Sequence, residues 1–521
     1  MKLLLSQWYK KILVLLFVGI LVLGIANISV NANTKYGRLT GINWFGFETG
    51  NYVVHGLWSR DYKSMLQQIK DLGFNCIRLP WCYEMLDKTP TSIQINEYGI
   101  DAYTGKTGLN LDLKGLTSLE VMDKIIDYAN TIGLYIILDC HSLAADNFQS
   151  EPLWYSNKYT ESNWISGWKT LITRYKGKAN VIGADLKNEP HGNLGTGYKP
   201  PATWGYTAAG YSNTDWKAAA ERCATQILAI NPNLLIIIEG VEQSQDGSGY
   251  WWGGNLKDVA NYPITLIASG SLVYSFHEYG SSVSNQTWFS ASNYPNNMAA
   301  IWDDRFYFIE KRNIAPLYLG EFGIKEADAA DPTSTDYKWL TTLMAYLGKE
   351  VSWTFWSFNP NSGDTGGILK DDWVSVNTSK YNLIKPYLAA NPITPTPEPT
   401  VTPTLTPTPT PVPSADCSVS YQVVNDWGSG ATVTIVITNN GTTAINGWTL
   451  AWNFAGSQII SNLWNGSYTQ NGSLVEVQNA THNKTIGANG GSVSFGLNLT
   501  YSGTNSKPAN FTLNGVSCAV Q

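Results

Sequence analysis

Between Leu39 and Leu388 eight short apolar runs recur, and the segments between them place apolar residues three or four apart. That alternation restricts the fold more than any other feature of the chain. The strand-like runs are Leu39 to Phe45, Asn75 to Leu79, Leu134 to Asp139, Val181 to Leu186, Leu234 to Glu239, Leu272 to His277, Pro316 to Glu321 and Val351 to Trp356. Helical periodicity follows in Asp61 to Leu72, Leu119 to Ile132 and Asp215 to Ile230. Eight strand-plus-helix units in about 350 residues match the α/β architecture of a (β/α)8 barrel. In such a barrel all strands open their C-terminal ends on one face, so polar groups there converge although they are far apart in sequence.

Two of the runs stop on a lone glutamate. Val181-Ile182-Gly183-Ala184-Asp185-Leu186 leads into Lys187-Asn188-Glu189-Pro190, and Ala315-Pro316-Leu317-Tyr318-Leu319-Gly320 into Glu321-Phe322-Gly323. Pro190 ends strand pairing and biases Glu189 toward an extended backbone. The other strand ends carry Arg78, His141, Asn188, His277 with Tyr279, and Trp356. An isolated buried glutamate more often caps a helix or pairs with an arginine. Two in matched contexts, beside histidines, an amide and an indole, suit a site that moves protons on a ring-shaped ligand. No metal need be invoked, because the spacing lacks the close ligand pairs of zinc sites. Asp139 and Asp185 read as structural.

Charged residues are 14% of the 521, aromatics 12%, with 21 tryptophans and a net charge of −6. Little charge and much indole suit stacking against neutral rings and argue against a nucleic-acid partner. No cofactor fingerprint is present, and no cofactor is expected. Residues 1–32 carry Lys2, Lys10 and Lys11, an apolar run from Ile12 to Ile25 and the small-residue pattern Val30-Asn31-Ala32. They read as a secretory signal peptide, leaving a secreted, extracellular protein with no membrane attachment. Residues 394–414 are rich in Pro and Thr and form an extended linker able to span roughly 60 Å. The barrel domain then occupies 33–393. The remainder, 415–521, alternates apolar and polar residues in short runs between Asn/Gly turns, the mark of an all-β sandwich.

The ordered set of barrel motifs resembles glycoside hydrolase family 5, and within it the bacterial endo-β-1,4-glucanases. It comprises Gly41-Ile42-Asn43-Trp44-Phe45-Gly46, Asn188-Glu189-Pro190, Tyr250-Trp251-Trp252-Gly253-Gly254-Asn255, Leu319-Gly320-Glu321-Phe322-Gly323 and the run from Trp353 to Leu369. The resemblance implies that Glu189 is the general acid/base and Glu321 the nucleophile, with Asn188 touching the sugar 2-hydroxyl. It also implies that Arg78 and Tyr279 position and tune Glu321, that His141 and His277 line the catalytic subsite, and that Trp356 is its floor. Trp44, Trp251 and Trp252 are further candidates for sugar stacking. A retaining mechanism needs the carboxyl groups about 5 Å apart. Mutual repulsion is expected to keep Glu189 protonated while Glu321 is ionised.

In the C-terminal segment Trp448 and Trp452 share the core face with Leu450 and Phe454, whereas Trp427 and Trp464 sit among turn residues. Cys417 and Cys518 lie at its two ends, and a disulfide between them would close a loop worth about 4 to 5 kcal/mol. The segment resembles a family 2 carbohydrate-binding module, in which Trp427, Trp464 and, at the third position, His482 would meet cellulose. Cys76, Cys82, Cys140 and Cys223 leave pairing open, with a Cys82–Cys140 link and free thiols both compatible. The reading is a monomeric endo-β-1,4-glucanase acting on cellulose, tethered to a cellulose-binding module. A mannanase, a xylanase or a non-catalytic polysaccharide-binding protein are the alternatives.

Overall fold

The computed structural model describes residues 34–192, 201–206, 212–266, 268, 270–389, 417–454, 456–471, 473–502, 505–508, 510–514 and 516–520. The signal-peptide segment 1–32 and the linker 394–414 lie outside these. The described residues form two compact units, one within 34–389 and one within 417–520.

The first unit is a closed barrel of eight parallel strands: β1 (Thr40–Asn43), β2 (Cys76–Cys82), β3 (Tyr135–Ser142), β4 (Val181–Asp185), β5 (Leu235–Glu239), β6 (Leu272–His277), β7 (Leu317–Glu321) and β8 (Ser352–Phe355). Each strand pairs with its predecessor in sequence, and β8 closes onto β1 through Thr40–Trp353 and Ile42–Phe355. All eight expected runs are strands. They are buried almost throughout, which is why they read as apolar runs rather than as an alternation.

Helices α1 (Tyr62–Asp71), α2 (Ser118–Thr131), α3 (Glu161–Tyr175) and α4 (Trp216–Leu228) start where side chains satisfy the free N–H groups of the first turn. Asp61 accepts from Lys63 N, Asp215 from Ala218 N, and Thr117 forms a reciprocal capping box with Glu120. Their apolar faces, such as Val121, Met122, Ile125 and Ile126 of α2, pack into the core around the barrel. Cys76, Cys82, Cys140 and Cys223 are all free and buried. Cys82 and Cys140 sit on neighbouring strands, yet their thiols turn to different carbonyls, those of Phe47 and Ser142.

The second unit holds nine strands in one hydrogen-bonded order. They are β9 (Cys417–Asp426), β10 (Gly430–Asn439), β11 (Thr449–Asn453), β12 (Ile459–Trp464), β13 (Gly466–Asn471), β14 (Leu474–Asn479), β15 (Gly491–Thr500), β16 (Phe511–Leu513) and β17 (Val516–Val520), in the order β12-β15-β10-β9-β17-β16-β11-β14-β13. Val433, Ile435, Ile437 and Leu497 from one half meet Leu450, Trp452, Val475 and Phe511 from the other in a single core. That is the sandwich expected from period-two alternation. Cys417 and Cys518 form its disulfide, across 101 residues of sequence. Among the described residues no helix is long and apolar enough to cross a membrane.

Candidate active site and a second, exposed aromatic surface

The C-terminal ends of the barrel strands meet in a cleft of about 580 Å³ lined by His141, Glu189, Trp252, Tyr279, Glu321 and Trp356, among others. Beneath it lies Arg78, wholly buried at the centre of β2. Its guanidinium reaches Glu321 Oε1 at 2.6 Å, Asp185 Oδ2 at 2.9 Å, Asp139 Oδ1 at 3.1 Å and Glu239 Oε1 at 3.2 Å. It also donates to Asn188 Oδ1 at 3.0 Å. A buried cation is tolerable only when surrounded in this way, and its planar fork fixes the positions of its acceptors. With Asn188 Oδ1 so occupied, Nδ2 is the remaining donor group of that side chain.

Glu321 accepts a second hydrogen bond, 2.9 Å from the Tyr279 hydroxyl. Glu189 Oε1 lies 2.9 Å from His277 Nδ1, which is itself 3.7 Å from Glu321 Oε2. Carboxylate oxygens of Glu189 and Glu321 approach within 4.8 Å of each other. His141 Nδ1 bonds Asp139 at 2.7 Å, and its ring stacks on Trp356 (centroids 5.6 Å, 12°). Trp356 in turn stacks on Phe45 (5.3 Å, 10°) and precedes a cis peptide bond to Ser357. Trp252 stacks on His191 at 3.9 Å, and His191 Nδ1 lies 2.7 Å from the carbonyl oxygen of Glu189. Trp251 stands edge-on to Tyr279 in the same wall.

Trp44 is not in the cleft. Its ring is fully buried, packs edge-on to Phe358, and donates Nε1–H to the His55 carbonyl at 3.0 Å. Phe45, one residue on, faces the cleft in its place. Glu189 is not extended either. Its φ is +48°, in the left-handed region, because its N–H is drawn 2.7 Å onto Glu239 Oε2. Tertiary hydrogen bonding thus outweighs the bias imposed by Pro190.

The two carboxyls shift apart in the direction opposite to the one that mutual repulsion alone would suggest. Burial, reinforced by Glu189, raises Glu321 even though His277 and Arg78 oppose it. Burial would raise Glu189 too, but the hydrogen bond and charge of His277 outweigh it and hold Glu189 below the usual carboxylate range. His277 is driven the other way. Burial disfavours its cation, yet Glu239, Glu321 and Glu189 surround the ring and push it well above the ordinary imidazole value. Glu189 and His277, 2.9 Å apart, thus shift in opposite directions, each favouring the charged form of the other. Burial pushes Asp185 well above the usual carboxylate range against the opposing charge of Arg78, with Glu239 and Asp139 reinforcing the rise, while Asp139 is held low by Arg78 and His141 against its burial.

Two trios, Asp139/His141/Glu321 and Glu189/His277/Glu321, bring potential ligand atoms within 4.8 Å. Each histidine already bonds a carboxylate of its own trio, and a bound cation would sit against the charge of Arg78. The side chain that sequence reasoning missed is Glu239. It ends the apolar run Leu235-Ile236-Ile237-Ile238 just as Glu189 and Glu321 follow theirs, so the same signal was present.

In the sandwich the indoles of Trp427 and Trp464 are 53% and 39% exposed. Each lies on a glycine. A Cβ at Gly430 would meet the Trp427 ring at 2.7 Å, and one at Gly496 the Trp464 ring at 2.2 Å. Gly430 pairs with Thr500 and Gly496 with Thr434, so both glycines belong to the outer face, opposite buried Phe495, Leu497 and Leu499. Four residues of β15 separate the two positions, roughly 13 Å along the strand. His482 is exposed in the single turn Thr481–Asn483, which Asn483 ties to the carbonyl of Asn465, next to Trp464.

Residues 31–362 match the family model for cellulase (glycosyl hydrolase family 5), and residues 417–518 match that for a cellulose binding domain. An endoglucanase of Paenibacillus polymyxa is 45% identical over 363 residues, covering 69% of this chain and 84% of that protein. The major extracellular endoglucanase of Xanthomonas campestris pv. campestris is 41% identical over 483 residues, 90% of this chain and 92% of its own length. Among solved structures, a hyperthermophilic endocellulase from Pyrococcus horikoshii superposes with a TM-score of 0.60 at 41% identity, over 68% of this chain and 93% of that one.

Proposed function

The chain belongs to glycosyl hydrolase family 5 and carries a cellulose-binding domain, and on that premise we propose that it is a secreted, retaining endo-β-1,4-glucanase whose catalytic pair is Glu189 and Glu321. The observation that carries the mechanism is the approach of the two carboxylates to within 4.8 Å. A water activated by a base needs carboxyl groups roughly 6.5 to 9.5 Å apart, whereas direct attack needs them at about 5 Å.

Glu321 attacks the anomeric carbon. Its two oxygens are aimed by Arg78 and Tyr279, and Arg78 stabilises the anion that must displace the leaving group. Glu189 delivers the proton to the departing oxygen, drawing on His277 across the 2.9 Å hydrogen bond. Once Glu321 is esterified it no longer carries charge, and Glu189 with His277 takes a proton from the water that hydrolyses the ester. Asn188 offers its Nδ2 to the sugar ring. Trp356, sandwiched against Phe45 and His141, is the floor of the catalytic subsite, and Trp252 on His191 is a platform in the adjoining wall.

The sandwich holds the enzyme on insoluble substrate through Trp427, Trp464 and His482, raising its local concentration. The amino-terminal 1–32 acts as a signal peptide, a reading supported by the likeness to an extracellular endoglucanase of Xanthomonas. The boundaries 33–393, 394–414 and 415–521 follow from the same reading, as does a monomeric state.

The test is the anomeric configuration of the first product from a soluble β-1,4-glucan oligomer, followed by proton NMR before mutarotation. The β anomer is expected. First appearance of the α anomer would overturn the double displacement. Activity on mannan or xylan in preference to carboxymethylcellulose would replace the substrate while keeping the mechanism.

A further inference from the structure

We infer that Glu239 is a positioning residue that ties the acid/base and nucleophile halves of the site together, holding the Glu189 backbone, the His277 ring and the Arg78 guanidinium at once. The inference rests on the assignment of Glu189 and Glu321 as the catalytic pair.

Glu239 is the last residue of β5 and is fully buried. Its Oε2 accepts from Glu189 N at 2.7 Å. Its Oε1 lies 3.2 Å from both Arg78 Nη2 and His277 Nε2. These contacts point in three chemically different directions. The first fixes a backbone that would otherwise leave the left-handed region, where a non-glycine residue is strained. Through it Glu239 decides where the Glu189 side chain leaves the chain. The second contact opposes the Glu189 carboxylate across the imidazole, so a carboxylate faces His277 at each nitrogen, 2.9 Å from Nδ1 and 3.2 Å from Nε2. The third contact shares Arg78 with Glu321, so the guanidinium that aims the nucleophile is itself aimed by Glu239.

The surroundings are built to keep this carboxylate in place. Gly253 approaches so closely that a Cβ there would lie 2.1 Å from Glu239 Oε2 and 3.2 Å from Glu189 Cα, and its φ is +66°. Its N–H reaches Pro190 O at 3.3 Å, and Gly240 N donates to its carbonyl at 2.8 Å. The loop carrying Trp251 and Trp252 is thereby closed over the carboxylate, and the strand end beneath is fastened by the Trp216 indole on Glu239 O.

Removing the negative charge of Glu239 acts on the Glu189–His277 proton in a predictable direction. The groups facing that proton are Glu189, Glu239 and Glu321 in contact, with Asp139, Asp185 and Arg78 behind them. Losing one of the anions makes the proton easier to lose, so the alkaline limb of the kcat profile must move to lower pH.

The experiment compares the full chain with Glu239→Gln and Glu239→Asp, and with Glu321→Ala and Glu189→Gln, on two substrates. One is carboxymethylcellulose, whose leaving group needs protonation; the other is an aryl cellobioside with a leaving group acidic enough to depart without it. Glu239→Gln is expected to lose about 10²-fold in kcat on the cellulose derivative, the scale of a misplaced general acid. It is expected to lose several-fold less on the aryl glycoside, and to show an acid-shifted alkaline limb. Glu239→Asp keeps the charge but is one methylene short, and is expected to restore the alkaline limb with only part of the rate. Equal losses on both substrates with an unmoved pH profile would show a purely structural role and overturn the inference, as would full activity in Glu239→Gln. Undiminished turnover of carboxymethylcellulose by Glu321→Ala or by Glu189→Gln would instead sink the catalytic assignment itself, and that result is independent of what Glu239 does.

Discussion

Tyr279 donates its hydroxyl hydrogen to Glu321 Oε2 at 2.9 Å while Arg78 holds the other oxygen, Oε1, at 2.6 Å. Burial, and then the charges of Glu321 and Glu189, push the Tyr279 phenol well above its ordinary value, so it remains a donor at every working pH. Tyr279→Phe removes one hydrogen bond to a charged acceptor, worth about 1.5 to 3 kcal/mol. The expected result is a fall in kcat of roughly ten- to a hundredfold with KM little changed, read by steady-state kinetics on a soluble glucan. A change confined to KM would mean that the hydroxyl serves the substrate rather than the nucleophile.

Behind the aromatic wall, Glu278 is fully buried and accepts from the Tyr250 hydroxyl and from the Trp302 and Trp339 indoles. Burial pushes its carboxyl up to about 7 from an ordinary 4.5. The folded state thus keeps a proton that the unfolded chain has already lost. Between about pH 4.5 and 7 the native protein binds more protons than the unfolded one, and stability falls as pH rises. Full ionisation costs on the order of 3 kcal/mol. Glu278→Gln keeps the hydrogen-bonding shape without the charge. Melting temperatures measured from pH 4 to 8 should show the unmodified enzyme losing ground to the variant across that window, and parallel curves would refute the assignment.

On the sandwich, Trp464→Ala should weaken adsorption to crystalline cellulose about tenfold, equivalent to ~1.4 kcal/mol, while turnover of soluble substrate stays unchanged. His482→Trp enlarges the third ring and should strengthen adsorption by a comparable factor. Binding isotherms of the full chain on microcrystalline cellulose decide both. Unaltered adsorption in Trp464→Ala would mean that the two indoles merely cover the sheet over Gly430 and Gly496.

The barrel was legible because each of its strands is covered on both faces and so appears as an unbroken apolar run with a polar residue at its end. Glu189 and Glu321 were legible for the same reason, and Glu239 could have been, since its run has the same form. What the one-dimensional pattern lacked was the register that turns neighbouring side chains inward or outward. Trp44 and Phe45 follow each other just past β1, and only the barrel decides that the indole goes into the core and the phenyl ring into the cleft. Long-range hydrogen bonds were equally out of reach. The contact across 50 residues from Glu239 to the N–H of Glu189 overrides the local preference set by Pro190. The opposite shifts of the acid pair depend on His277, whose three carboxylate neighbours come from three different strand ends. In the sandwich, period-two alternation sorted the buried Trp448 and Trp452 from the exposed Trp427 and Trp464 correctly, because there one face of each strand meets water.

The cysteines divide the molecule in a way that can be put to use. The two in the sandwich are consumed by their mutual bond, and all four in the barrel are free and sealed inside. An alkylating reagent can modify a thiol only when the surrounding structure opens. The rate at which such a reagent consumes thiol in the intact protein therefore clocks excursions of the catalytic unit alone, with the cellulose-gripping unit a silent passenger.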